Sequence, residues 1–280
     1  MVLVGFFTLY PFVNTLAIAL NDGIDASRGD IYFFPRKFSL DNFILILNQG
    51  KIYRSLMITV SRTVIGTVLN TLMTGIFAYG LSKPFLKGRK VYLFISIVTM
   101  YFSGLIIPQY VLYDALGLTN SFLVYFVPYM INVYFMIMMM TYYRGIPGAV
   151  EESAKMDGAG YFYIFFNIII PLSVPIFAVI SLYNAVFQWN QWFDAYIFVT
   201  DEKLMPLQNL LIDVINSTRI NELEASVSGI ASDMISSKSR ITVKSVRAAT
   251  MIVTIGPIIL FYPFIQKYFV KGVMIGSVKG

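Results

Sequence analysis

Long apolar runs separated by shorter polar segments repeat along the whole chain of 280 residues. Val2 to Leu20 is the first run, and others cover 63–81, 91–112, 122–142, 164–187 and 248–266. A bilayer core of about 30 Å needs around 20 helical residues to cross it. The pattern therefore predicts an all-α, polytopic membrane protein with six transmembrane helices, forming a single domain over 1–280. The first run lacks the basic start and small-residue cleavage site of a secretory signal, so it reads as a span.

Between the first two runs, Asn21 to Arg54 is polar, with turn signals at Asp22-Gly23, Arg28-Gly29-Asp30 and Pro35-Arg36-Lys37. Arg62 stands just ahead of the second span, where its long stem can snorkel to the interface. Pro108 is a candidate bend in the third span, and Pro171 and Pro175 lie near the start of the fifth. Gln188 to Lys244 is the longest polar stretch, with Trp189, Asn190 and Trp192 at its head and a Ser-rich middle. Gly75, Gly80, Gly104 and Gly256 suit close helix packing, which in lipid relies on small residues.

Charge sets the orientation. Six spans put the segments 82–90, 143–163 and the tail from Lys267 on one side, with nine Lys/Arg against three acids in about 45 residues. The opposite side holds the other twelve acids and a sparser scatter of bases. Basic residues in short loops mark the cytoplasmic side, so the 143–163 loop and the C-terminus are expected in the cytoplasm.

Composition narrows the chemistry. The chain is 57% hydrophobic and 13% charged, where an ordinary soluble domain carries roughly 25% charged residues. His and Cys are absent, which removes imidazole and thiolate metal sites, His or Cys nucleophiles and disulfides. No Gly-x-x-x-x-Gly-Lys-Ser/Thr loop occurs, so the energy for any transport must come from a partner or a gradient. None of the six predicted spans carries a carboxylate well inside it, which argues against an ion-driven carrier. An intramembrane hydrolase has still less support.

One polar insertion has the marks of a folded element. Ile-Pro-Gly-Ala-Val-Glu-Glu-Ser-Ala-Lys-Met-Asp-Gly-Ala-Gly runs from Ile146 to Gly160. Pro147 suits the first turn of a helix, Glu151 and Glu152 lie near its positive end, and Asp157-Gly158 reads as a stop. A ten-residue helix from Pro147 to Met156 spans about 15 Å, too short to cross a bilayer, so it lies on a surface. Glu151 precedes Lys155 by four residues, the favourable order for an intrahelical ion pair. Glu152 has Met156 at that spacing, which leaves its carboxylate freer for another protein. A solvated linker helix fits the same residues.

Glu152-Ser153-Ala154, Gly158 six residues after Glu152, Ile168 ten further on and Ile170-Pro171 together resemble the EAA loop of the membrane subunits of bacterial ABC importers. Ser153 replaces the usual Ala and Ile170 the usual Leu. The resemblance continues through Pro171-Leu172-Ser173-Val174-Pro175, Phe187-Gln188-Trp189-Asn190-Gln191-Trp192 and the tail from Tyr268 to Gly280. These segments resemble the smaller membrane subunit of maltose-type carbohydrate importers, nearest the complex-oligosaccharide group (lipooligosaccharide or uronate-containing). The resemblance implies a type I ABC importer permease in the bacterial inner membrane, non-catalytic itself. It implies a homologous second permease, two cytoplasmic ATPases that bind the ATP and Mg, and an extracytoplasmic solute-binding protein as partners. Nucleic acid is not among them, and this chain is expected to hold no cofactor. Relatives usually carry a basic tail ahead of the first span, so a natural start upstream of Met1 is expected.

By motif match, Glu152 takes the role of pairing with a basic group of the ATPase. Ser153, Ala154 and Gly158 match close-contact positions, Asp157 caps or turns the chain, and Pro147 opens the coupling helix. Gly276, Ser277, Val278 and Lys279 match a tail that reaches the ATPase interface. For an oligosaccharide, aromatic faces and amides at helical spacing suggest a pathway of Tyr125, Tyr129, Asn132, Tyr183, Asn184, Phe187 and Gln188. An interfacial aromatic belt accounts for many of the same residues. The rival function is a stand-alone channel or secondary carrier.

Overall fold

The computed structural model describes residues 2–48, 50–102, 104–216, 242, 244–257 and 259. Among these, the regular elements are helical, and β-pairing is limited to one isolated antiparallel bridge between Asn21 and Phe38. The described residues fall into two compact units. One combines the chain up to Ile58 with the described residues from Met205 onward, and the other is Thr59–Leu204.

In the first unit, the apolar helix Val2–Ala19 ends at a polar knot. Asp22 caps the short helix Gly23–Ser27, its carboxylate accepting from the backbone N–H groups of Ile24 and Asp25. Buried Asn42 donates to the carbonyls of Ala19 and Asn21, at 3.0 and 2.8 Å, and accepts from the Ser245 hydroxyl at 2.7 Å. These bonds satisfy the helix-end carbonyls that the apolar run leaves open. Ala19, Ile46, Ile52, Leu207 and Ala249 form the core beneath them. The polar stretch 21–54 is thus folded, and it includes the helix Asp41–Asn48.

The second predicted span is longer than expected. Its helix runs from Gly50 to Ser82, 33 residues, beginning thirteen residues ahead of the apolar run at 63. At 1.5 Å per residue it measures about 50 Å, well over a bilayer's apolar thickness. Of the described helices it alone is long and apolar enough to cross a membrane as one piece.

Three other predicted spans are bent pairs. Arg89–Tyr101 is followed by Ile106–Ala115, so the third span breaks ahead of Pro108, which lies inside the second helix. The fourth opens with two tight turns at Phe122–Tyr125 and Val127–Tyr129, then bends by 49° into Val133–Arg144. The fifth bends by 86° between Tyr161–Leu172 and Val174–Asn190. Its cause is local: the break is at Ser173, and Pro175 has no N–H to donate across it to the Pro171 carbonyl. The sixth is helical over 244–257 and at 259, and its other predicted positions lie outside the described residues.

Among the glycines, Gly75 fits the close-packing expectation, since a Cβ there would stand 3.0 Å from the Phe177 ring. Gly80 does not, having open space around it. Among the described residues the tightest glycine site is Gly66, where a Cβ would stand 2.5 Å from Gln188 Nε2.

Candidate functional site

The coupling-loop segment folds as its sequence suggests, with two local differences. The helix is Gly148–Met156, and Pro147 sits at its N-cap with extended backbone, one step ahead of the expected first-turn position. At the far end, Gly158 takes φ +82, the Ala159 N–H donates to the Ala154 carbonyl and the Gly158 N–H to that of Lys155. This 6→1 and 5→2 pair closes the helix, and the left-handed turn is the reason glycine follows Asp157. Asp157 itself is the C-cap residue.

The helix has two faces. Val150, Glu151 and Ala154 turn inward, and Ala154 and Ala159 pack on the core built by Tyr79, Tyr143, Ile164 and Phe165. Ala149, Glu152, Ser153 and Met156 turn outward, and Met156 is 88% exposed. Ala154 therefore belongs to the chain's own packing, whereas Ser153 stays open to a neighbour.

Glu151 does not pair with Lys155. Its carboxylate takes the ammonium of Lys83, the residue immediately after the long helix, and both side chains are mostly buried. Helical spacing offered Lys155, but that side chain lies outward over the rings of Tyr161 and Phe85, at 4.8 and 5.4 Å. The Lys83 ammonium also stands 4.0 Å from the centre of the Tyr79 ring. Burial pushes Lys83 below its ordinary value, against the pull of Glu151. An apolar groove of about 240 Å³ opens alongside, lined by Ile76, Phe85, Leu86, Tyr161 and Phe162.

Twelve residues inside the start of the long helix the structure overturns the expectation for Arg62. It does not snorkel; its side chain is fully buried against Asp194, 2.6 Å away, whose own side chain is 1% exposed. Five hydrogen bonds hold the guanidinium: Nε and Nη2 donate to Gln188 Oε1, Nη1 to the Gln191 carbonyl and Asp194 Oδ1, and Nη2 to Asp194 Oδ2. The guanidinium carbon also lies 4.3 Å from the centre of the Tyr125 ring. The bonds match the planar donor fork of arginine, and Gly66, one turn along, leaves room for Gln188. Asp194 was invisible as a partner because it sits in the polar stretch after the fifth span, on the short helix Phe193–Phe198. The one available signal was a lone arginine beside an apolar run, which requires a carboxylate if it is buried.

The pathway candidates divide. Asn184 and Gln188 face inward as rungs between the helix Val174–Asn190 and the long helix. Asn184 donates to Asn70 Oδ1 at 2.6 Å and Thr71 Oγ1 at 3.1 Å, and Gln188 donates to the Tyr125 carbonyl. Tyr125 is buried, its hydroxyl donating to the Leu204 carbonyl. Asn132 caps the helix Val133–Arg144. Tyr183 and Phe187 face out, 51% and 44% exposed, and Phe187 packs edge-on against Tyr129. The structure thus buries Asn184 and Gln188 together with Tyr125 and leaves Tyr183 and Phe187 exposed, rather than presenting all of them on one open face. Gly276, Ser277, Val278 and Lys279 lie outside the described residues. Among the described residues no cluster of three His, Cys, Asp or Glu side chains is placed to hold a metal.

Comparison with known proteins supplies the context. Residues 71–275 match the family described as binding-protein-dependent transport system inner membrane component. The chain is 35% identical to the polygalacturonan/rhamnogalacturonan transport system permease protein YtcP of Bacillus subtilis, covering 100% of this chain and 98% of the relative. It is 32% identical to protein LplC of the same organism, over 99% and 91% of the two chains. Among solved structures it is similar to a chain of a bacterial ABC transporter involved in the import of the acidic polysaccharide alginate. That likeness has a TM-score of 0.85 and 30% identity, over 96% of this chain and 94% of that one.

Proposed function

The chain belongs to the family of binding-protein-dependent transport system inner membrane components, and from that premise we propose that its helix Gly148–Met156 docks a separate ATPase and that its cargo is an acidic oligosaccharide. It is a permease of an oligosaccharide-importing ABC transporter. In the proposed assembly it pairs with a homologous permease, receives cargo from an extracytoplasmic binding protein and leaves ATP and Mg to two ATPase subunits. The docking helix and the C-terminus face the cytoplasm, as the distribution of basic residues favours. The acidic cargo is suggested by the names of the similar proteins, one a polygalacturonan/rhamnogalacturonan permease and one an alginate importer.

The observation that carries the docking reading is the outward row Glu152, Ser153 and Met156 on a helix fixed from within through Glu151 and Ala154. Such a helix presents a charge, small side chains and an apolar end while its position is held. ATPase closure then moves the permease as a rigid body. A charge pair desolvated on docking is worth about 2–5 kcal/mol, so Glu152→Ala should weaken ATPase association ~30-fold or more. Co-purification and uptake per ATP check this, and unchanged values for both would refute it. For the cargo, the reconstituted importer with its cognate binding protein should take up oligogalacturonate or oligoalginate in preference to neutral maltodextrin. A preference for the neutral sugar would overturn the acidic assignment.

A further inference from the structure

We propose that the part of the helix Gly50–Ser82 from Arg62 to Ser82 is a transmission rod, with Lys83 and Glu151 as its input and the Arg62 clamp as its output. The proposal rests on the docking reading above and adds the route by which the docked helix reaches the far side of the membrane.

The geometry supplies both ends. Lys83 directly follows the last residue of the rod, and Glu151 lies in the first turn of the docking helix, so their ion pair joins one helix to the end of the other. The side chains are 13% and 14% exposed. At that burial a pair is less screened than one on an open surface, and the Tyr79 ring beneath Lys83 restricts where the ammonium can go. From Arg62 to Ser82 is twenty residues, about 30 Å of helix, which is the thickness of a bilayer's apolar core.

At that distance the rod is fastened again. Arg62 holds Gln188, Gln191 and Asp194 together, and these residues form the end of one helix and the start of the next. Opening this clamp would leave two charges without partners in a dry interior, so it stays closed while the rod moves. The Asn184 and Gln188 rungs fix the helix Val174–Asn190 to the same rod. Displacement at Lys83 is therefore delivered to Tyr183 and Phe187, the exposed aromatics on that helix. Lys83, Glu151 and Arg62 are positioning residues, acting on cargo through what they hold.

The test uses the complete importer in lipid nanodiscs with its ATPases and cognate binding protein, carrying Lys83→Glu, Glu151→Lys or both, with Glu152→Ala alongside. Each single reversal should cut uptake per ATP about tenfold while ATPase subunits remain bound, and the double reversal should restore it to within about threefold, as expected when one interaction couples two sites. Single reversals that keep normal uptake per ATP overturn the rod. If the single variants fail to assemble, recovery of uptake in the double reversal supports it, and an assembled but uncoupled double reversal overturns it. Normal ATPase binding and coupling in Glu152→Ala would instead sink the docking reading, whatever the charge reversals show.

Discussion

Two positions along the helix Gly50–Ser82, its C-terminal end at Lys83 and Arg62 within it, solve the same electrostatic problem at different depths. At Lys83 the ion pair keeps some contact with solvent, and a single oxygen and an aromatic ring complete it. At Arg62 both partners are sealed, and five hydrogen bonds are needed to replace the lost water. Desolvation costs several kcal/mol per ion in a dry interior, so a sealed pair survives only with nearly complete hydrogen bonding. Depth therefore decides the design: the outer pair can be simple and adjustable, and the inner one must be complete and rigid.

The largest test of this contrast is Arg62→Ala, which strands Asp194 and should cost about 3–5 kcal/mol, enough to depress expression and the Tm of the folded protein. Replacing both partners, Arg62→Met with Asp194→Leu, should recover most of that loss, because no buried charge is left. If the double variant is as unstable as Arg62→Ala alone, the desolvation account fails. Gly66→Ala should be next, at about 1–3 kcal/mol, because the new methyl meets the Gln188 amide and pushes it away from Arg62. It leaves both charges in place and so separates the supporting amide from the ion pair.

The smallest effect belongs to a third pair, Asp25 with Arg36, where the arginine is 42% exposed. The Asn21 amide, followed by Arg36, holds the Asp25 carboxyl below its ordinary 3.8. A depressed carboxyl stabilises the fold above its unfolded value and loses that contribution as pH falls through its folded value. Hydrogen-exchange protection over residues 21–41, corrected for the intrinsic rate at each pH, should therefore fall below pH ~4, and Asp25→Asn should make that protection nearly independent of pH in the same window. A pH response as strong in Asp25→Asn as in the parent protein would remove this pair from the series.

The site was partly legible in the sequence because some of its features are local. Pro147, Asp157 and Gly158 bound a helix by backbone chemistry that depends on near neighbours, and the structure departs by one residue at the start. The partner of Glu151 is not legible in the sequence for the converse reason. Helical spacing names Lys155, but Lys83 is brought in from 68 positions away and offers a better-shielded contact. The spacing of Asn184 and Gln188 fits a polar face open to sugar, yet the same spacing makes them rungs against the long helix. Periodicity says which residues share a face and leaves open what that face meets.

The sequence by itself determined the helical, membrane-type character of this chain, its family and, to within one residue, the bounds of the helix Gly148–Met156, since these follow from composition, apolar run length, motif spacing and local backbone preference. Only the tertiary structure decided that the spans bend, that the second begins at Gly50, and that Arg62 is buried with Asp194. The last of these turns on a contact between residues 132 positions apart, where the cost of burying a charge is set by what stands opposite it.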